Sequence, residues 1–589
     1  MIFSTASEVK RPVRLQKATR EWAYASLYGK YGDDTMKNAY VDLDDIEGFE
    51  GLSVTEKYNR AIRRIAEKAP VRICSEEKIC GAATLGDAIR HLVPARYKGQ
   101  NPFYSVSHLT IRYDKVLKQG LNAYAEDIAK RLKDTSLSEE EILFLHSLEN
   151  VIESIRIWHH RYLTATENRR PDLHRLLRQV PFSPARNFHE ALQSLWFIFA
   201  FVRLCGNWPG IGRLDWLLGD FLEKDLKNGL LTENEARELL ASFFIKGCEW
   251  IRPDPPVGTG DAQHYQNIVL AGINADGNEI TNQVTFLVLD IVEELAISDF
   301  PITVRLNKNT SYALKEKTAQ VMRHGGGIVA IYNEDLILRS LKKLGYADEE
   351  ARCFANDGCW EVQIPGKTNF AYMPFDALQI WNKVTGITAD KIPGYNSIEK
   401  LYSAFRDALY KAVESLYSSH VKSAYICKND VWQARGDVGP DSVVSLFEDG
   451  CIEHARAYYD CGPEYTVRSP HIGGAPDVAN SLYAVEKLVF EENKVSFSEL
   501  VQILKNNWQD NELLRLYAKN KFVYYGNDSD EADLWHTRLL NDFADMVNSF
   551  NVSRQIYSRC KHIRPSGRLA AESLRHGLRI QKRRYSFRQ

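Results

Sequence analysis

From about residue 265 the chain alternates short β-rich runs (NIVLAGI at 267–273, ITVRLN at 302–307, GIVAIYN at 327–333) with helical stretches at Gln283–Leu295 and Ser311–Arg323. No other feature restricts the fold as much, because alternation of this kind predicts parallel strands joined by crossover helices. Residues 1–250 read mainly as helix: Gln119–Leu132 and Glu139–Arg161 carry apolar residues at three- and four-residue intervals. Leu231-Thr232-Glu233-Asn234-Glu235 forms a capped start leading into ARELLASFFIKG. The expectation is an α/β protein with a helical N-terminal layer. No internal repeat, Pro/Gly/Ser-rich linker or low-complexity segment interrupts the chain, which favours one large domain over several strung together.

A core of that size is available. Of the 589 residues 44% are hydrophobic, and 11 Trp, 29 Tyr and 25 Phe exclude a disordered chain. The formal net charge of -2 gives no general pull towards nucleic acid or an anionic membrane. The start, MIFSTASEVKRPVRLQ, places charges where an export signal needs an apolar stretch. The most apolar segment, Ala191–Leu204, is too short to cross a bilayer and carries Gln193 and Arg203, so it reads as a buried core helix. None of the ten cysteines forms a CxxC pair, which argues against zinc or thioredoxin-type motifs. A reducing cytoplasm with free thiols, and no metal, is the expectation.

Several motifs fail on context. His324-Gly325-Gly326-Gly327 resembles an esterase oxyanion loop, but no G-x-S-x-G elbow accompanies it. No P-loop, no G-x-G-x-x-G and no i, i+4 histidine pair occurs. From Arg554 onward about eleven Lys or Arg face one acid, Glu572. That basic arm is either simply solvated or an isolated nucleic-acid contact on a neutral protein.

Asn356-Asp357-Gly358-Cys359-Trp360-Glu361, followed by Val362-Gln363-Ile364-Pro365-Gly366-Lys367-Thr368, has a different character. Its Gly and Pro mark a loop rather than a helix. A lone cysteine is most often a small buried hydrophobe. Here, however, an extended loop would point residues two apart the same way, setting the Cys359 thiol and the Glu361 carboxylate on one side of a pocket. A buried acid in such a place has its pKa raised and can exchange protons near neutral pH.

This segment resembles the Gly-Cys-x-Glu loop of glycyl radical enzymes of the pyruvate formate-lyase-like superfamily, and the likeness runs along most of the chain. Ser107-His108-Leu109-Thr110 leading to Tyr113-Asp114-Lys115-Val116-Leu117 is similar to the N-terminal family signature. Phe188-His189-Glu190-Ala191-Leu192-Gln193, Gly212-Arg213-Leu214-Asp215, Asp276-Gly277, Asn282 and Pro301–Arg305 continue it. So do Cys451-Ile452-Glu453, Ser481–Val485 and Tyr525-Gly526-Asn527-Asp528. The resemblance implies a ten-stranded α/β barrel of two parallel five-stranded halves wrapped in helices. It also implies one barrel domain over residues 1–565, with 566–589 a basic tail in place of the expected glycyl radical domain.

The chemistry implied is radical. A separate S-adenosylmethionine iron–sulfur activating enzyme installs a radical on a C-terminal glycine, which oxidises a barrel cysteine to a thiyl. By resemblance Cys359 is that thiyl site and Glu361 its partner acid or base, and no other cofactor is bound directly. Asp215, Asn207 and Thr285 fall at substrate-binding positions, although Asp215 could equally pair with Arg213 or cap a helix. Trp360 stands where pyruvate formate-lyase has a second cysteine, which argues against thiolysis of pyruvate. Met373 stands where some diol dehydratases carry an aspartate, with Asp376 three residues on. After Pro565-Ser566-Gly567-Arg568 no Arg-Val-x-Gly-Tyr loop follows, so the expectation is a truncated chain or a glycine supplied by a separate small subunit. The resemblance further implies a homodimer acting on a small polar molecule, while the small net charge gives no nucleic-acid or membrane partner. The expected function is a radical lyase or dehydratase, the alternatives being a decarboxylase of an arylacetate-like acid or an inert fragment.

Overall fold

The computed structural model describes residues 10–81, 84–251, 266–295, 297, 300–325, 329–358, 360–428, 431–434, 439–549 and 563–565. Cys359, Gly326, Gly327 and the basic tail 566–589 therefore lie outside the described residues. Two compact units divide the chain. The first draws on Met1–Leu338, Gly345–Asn369 and Ala434–Thr466, the second on Arg339–Leu344, Phe370–Gln433 and Val467–Gln589.

The first unit is built on parallel strands β1 (Ser107–Thr110), β2 (Trp208–Gly210), β3 (Gly212–Arg213), β4 (Ile268–Ala271), β5 (Ile302–Leu306) and β6 (Val329–Asn333). β1 pairs with β2, while β3, β4, β5 and β6 pair in that order, all parallel. Because β2 and β3 are one stretch interrupted only at Ile211, the strands occupy five parallel positions, as expected for one half of the barrel. Every residue of β4 and β5 is buried, as strands covered on both faces must be. Crossovers run through the helices Leu214–Lys227 and Glu233–Lys246, then Gln283–Leu295, then Tyr312–Met322, where the sequence pattern places them. Their starts are chemically marked: Thr232 and Glu235 form a capping box, and the Ser311 hydroxyl accepts from the Leu314 amide.

Around the sheet lies the helical layer. Phe188–Leu204 is almost wholly buried, and two of its polar side chains have defined partners. Gln193 exchanges two hydrogen bonds with the Cys80 backbone at 2.8 and 2.9 Å. The Arg203 guanidinium lies 3.8 Å from the ring centres of both Trp208 and Trp250. Among the described residues no helix is long and apolar enough to cross a membrane. One expectation needs correction: Gln119–Leu132 is not one helix but the end of Tyr113–Gln119 followed by Leu121–Arg131. Gly120 breaks it with φ +76, and a Cβ there would stand 2.4 Å from the Phe182 carbonyl oxygen.

The second unit has its own core, in which Trp381, Phe405, Leu482 and Phe543 meet. Most of β9 (Thr368–Asp376), with β10 (Tyr465–Gly473) and β11 (Ile563–Pro565), forms a three-stranded sheet in that order. Met373 is buried in this core. Asp376 caps the helix Ala377–Thr385 by accepting from the Leu378 amide at 2.8 Å.

Candidate active site

The segment around Cys359 is a β-hairpin of β7 (Ala355–Asp357) and β8 (Glu361–Gln363), paired antiparallel with Glu361 opposite Asp357. Residues 358–360 join the two strands. Gly358 has φ +56 and Trp360 φ +81, so on either side of Cys359 the backbone is not the extended conformation that the sequence suggested. The alternation argument that set Glu361 beside Cys359 does not apply to such a turn. The neighbour that shares the face of Glu361 is Asp357, directly across the pair.

The parallel sheet holds this hairpin at its base and its tip. At the base, fully buried Arg305 of β5 donates to the carbonyls of Phe354 (2.8 Å) and Arg352 (2.9 Å). Its guanidinium also lies 3.8 Å from the centre of the Phe354 ring. Arg213 of β3 donates to the same Arg352 carbonyl at 3.2 Å. Glu334 pairs with Arg305 and accepts from the Asn307 side chain and the Ile273 amide. Burial would raise the Glu334 pKa, yet Arg305 and these donors carry it below the ordinary value. At the tip, Asn267 donates to the Gly358 carbonyl at 3.3 Å, and the buried Tyr332 hydroxyl of β6 donates to the Trp360 carbonyl. Gln363 donates to the His108 carbonyl at 2.8 Å.

Only glycine fits at 358. A Cβ there would lie 2.1 Å from His108 Cδ2 and 2.7 Å from a Glu361 carboxylate oxygen, so the imidazole and the acid both border the turn. Asp357 is fully buried. Burial holds its pKa well above the usual carboxylate range, and Glu361 pushes the same way. The amides of Gly358, Gly210 and Leu109 only partly offset this. Gly358 is therefore flanked by two buried carboxyl groups and a histidine, a set able to hold and pass a proton.

The other expected site residues have partners of their own. Buried Asn207, at the entry to β2, accepts from the Val106 amide at 2.9 Å. Asp215 and Thr285 are brought together: Thr285 donates to Asp215 Oδ2 at 2.7 Å, which also accepts from the Ala271 amide at 2.6 Å. The Trp216 amide takes Oδ1 at 2.9 Å. These bonds tie the end of β4 to the starts of two helices. Sequence reasoning missed His108 and Asp357 as site residues. A hairpin signal was present, since NDGCWE places two acids on either side of a glycine-containing turn.

Cys74, Glu77 and Glu249 also cluster within 4.8 Å in the interior. Lys246 lies 2.6 Å from Glu77 and 3.6 Å from Glu249, and Arg72 lies 2.8 Å from Glu249. Those two cations balance the cluster's carboxylates.

Residues 95–563 match the family model "Pyruvate formate lyase-like". The chain belongs to that family. Among relatives of the pyruvate formate lyase-like chain, the trans-4-hydroxy-L-proline dehydratase of Clostridioides difficile is 26% identical over 526 residues, 80% of this chain and 65% of that protein. The isethionate sulfite-lyase of Nitratidesulfovibrio vulgaris is 25% identical over 460 residues, 72% of this chain and 55% of its own length. The chain thus spans between half and two thirds of these relatives. Among solved structures, the glycerol-bound B12-independent glycerol dehydratase of Clostridium butyricum superposes with a TM-score of 0.76 at 21% identity, over 95% of this chain and 81% of that one. The α/β barrel fold read from the sequence is therefore the fold of this chain.

Proposed function

We propose that this chain is the catalytic barrel of a glycyl radical dehydratase or lyase, with Cys359 as its hydrogen-abstracting thiyl and Glu361 as its proton-transfer partner. The observation that supports the reading is the hairpin: in a pyruvate formate lyase-like chain, Gly358, next to Cys359 in sequence, is bordered by His108 and Glu361, with Asp357 opposite Glu361. A glycyl radical, installed by a separate radical S-adenosylmethionine enzyme, would supply the one-electron oxidation of the Cys359 thiol. The Cys359 sulfur then takes a hydrogen atom from a substrate carbon, leaving a carbon-centred radical and a thiol. Glu361 accepts the proton of the adjacent hydroxyl as the leaving group departs with its electron pair, and the thiol returns a hydrogen atom to the product radical. Buried Asp357 faces Glu361 across the hairpin, and its pKa, raised by burial, favours its holding a proton that this partner could exchange.

The relatives' names point to a small hydroxylated substrate. The test is anaerobic turnover of the protein, with a glycyl-loop polypeptide supplied in trans or fused after residue 589, an activating enzyme and S-adenosylmethionine, on trans-4-hydroxy-L-proline, isethionate and glycerol. Loss of one of these substrates, abolished by Cys359→Ala with an unchanged circular dichroism spectrum, is the expected result. Equal turnover by Cys359→Ala would remove the assignment.

A further inference from the structure

A second feature stands at the base of the hairpin, away from its tip. A cavity of about 310 Å³ opens among the segments that follow β1 and β3 and those that flank β7 and β8, near the lower end of the range of ligand sites, about 300–1,000 Å³. Its body is apolar, with Ile111, Ile211, Leu217, Ile364 and Pro365 in the wall and Trp216 half-exposed beside them.

The charges in the wall are unequal. Arg112 is paired with Asp114 at 2.8 Å and with Asp449, and Lys367 with Glu350 at 2.8 Å. Arg213, 4% exposed, has no carboxylate within ion-pairing distance among the described residues. Two of its nitrogens donate to the backbone carbonyls of Arg352 and Ala271, and its Nε finds no acceptor. The nearest candidates are spoken for: Asp215 accepts from Ala271, Trp216 and Thr285, and Glu334 serves Arg305. Burial, then the neighbouring Arg305 charge, pulls the Arg213 pKa down to about 9. An uncompensated buried guanidinium is costly, and an anion beside it relieves that cost.

We propose that this cavity is a binding site for a small monocarboxylate with an apolar body, its carboxylate received by Arg213 and its hydrocarbon by the aliphatic wall. One unpaired cation fits one negative charge. Asp114, Glu349 and Glu350 also line the cavity, so an anion of higher charge such as phosphate is repelled. The site is independent of the radical reading, since neither Cys359 nor Glu361 lines it.

Isothermal titration calorimetry with hexanoate, 1-hexanol and inorganic phosphate tests it. Hexanoate should bind saturably at one per chain, at least tenfold more tightly than 1-hexanol, with no phosphate binding. Arg213→Gln should weaken hexanoate at least tenfold. Arg213 also holds two carbonyls, so a variant that spares it is needed: Ala275→Trp fills the cavity from its rim and should abolish binding in a folded protein. Cys359→Ala should bind hexanoate as the parent does. Absence of hexanoate binding, equal affinity for 1-hexanol, phosphate binding, or unchanged binding by Ala275→Trp would each overturn the proposal.

Discussion

Gly358 is the residue with least freedom in the candidate site. Its φ of +56 and the 2.1 Å approach of His108 to a notional Cβ leave room for nothing larger. Gly358→Ala should therefore cost about 2–4 kcal/mol, the sum of left-handed strain and overpacking. Guanidinium denaturation against the parent measures it, and a loss near zero would mean that the turn relaxes freely. Glu361 drew attention in the sequence as an acid two residues from a cysteine in a glycine-containing loop. Its geometry was not, since a one-dimensional reading supposes extended backbone and cannot see φ at Trp360. Asp357 was likewise invisible as a partner: only the cross-strand register brings it opposite Glu361.

At the scale of elements, the hairpin is only as well placed as the β5 to β6 region that holds it. Arg305 and Glu334 are both fully buried. Glu334→Gln strands the guanidinium without a counter-charge, for which about 3–5 kcal/mol of stability is expected to be lost. The double variant Arg305→Met/Glu334→Gln should recover part of that, and a double-mutant cycle by chemical denaturation would read the coupling. A cycle showing no coupling would mean that the pair does not support the hairpin.

The long helix Glu139–Thr166 carries a different sensitivity. His159 is buried, with Nε2 donating to the Leu177 carbonyl at 2.8 Å. Burial lowers its pKa from 6.5 to about 4. With the folded value depressed, the stabilisation is present above pH 6.5 and is lost as pH falls towards 4, about 3 kcal/mol in all. His159→Gln should flatten the stability profile over that interval, and a profile as steep as the parent's would contradict the assignment. The strands and crossovers of this half were legible because fully buried parallel strands read as unbroken apolar runs. The break at Gly120 was hidden, because the helical period of the apolar residues continues across it.

On the scale of the whole molecule, the division into two units with separate cores could not be read from the sequence. Segments 339–344 and 345–369 belong to different units although no linker separates them. The family was legible because its landmarks are spread from Ser107 to Asp528, and the match over residues 95–563 agrees with them. What the barrel does with a substrate is best tested by separating hydrogen abstraction from elimination. The activated protein, given substrate in deuterium oxide, carries an exchanged Cys359 thiol that returns deuterium to any substrate radical that fails to eliminate. Mass spectrometry of recovered substrate should find deuterium with Glu361→Gln, which abstracts but eliminates slowly, and none with Cys359→Ala. Deuterium in substrate recovered from Cys359→Ala, or its absence with Glu361→Gln, would contradict the account.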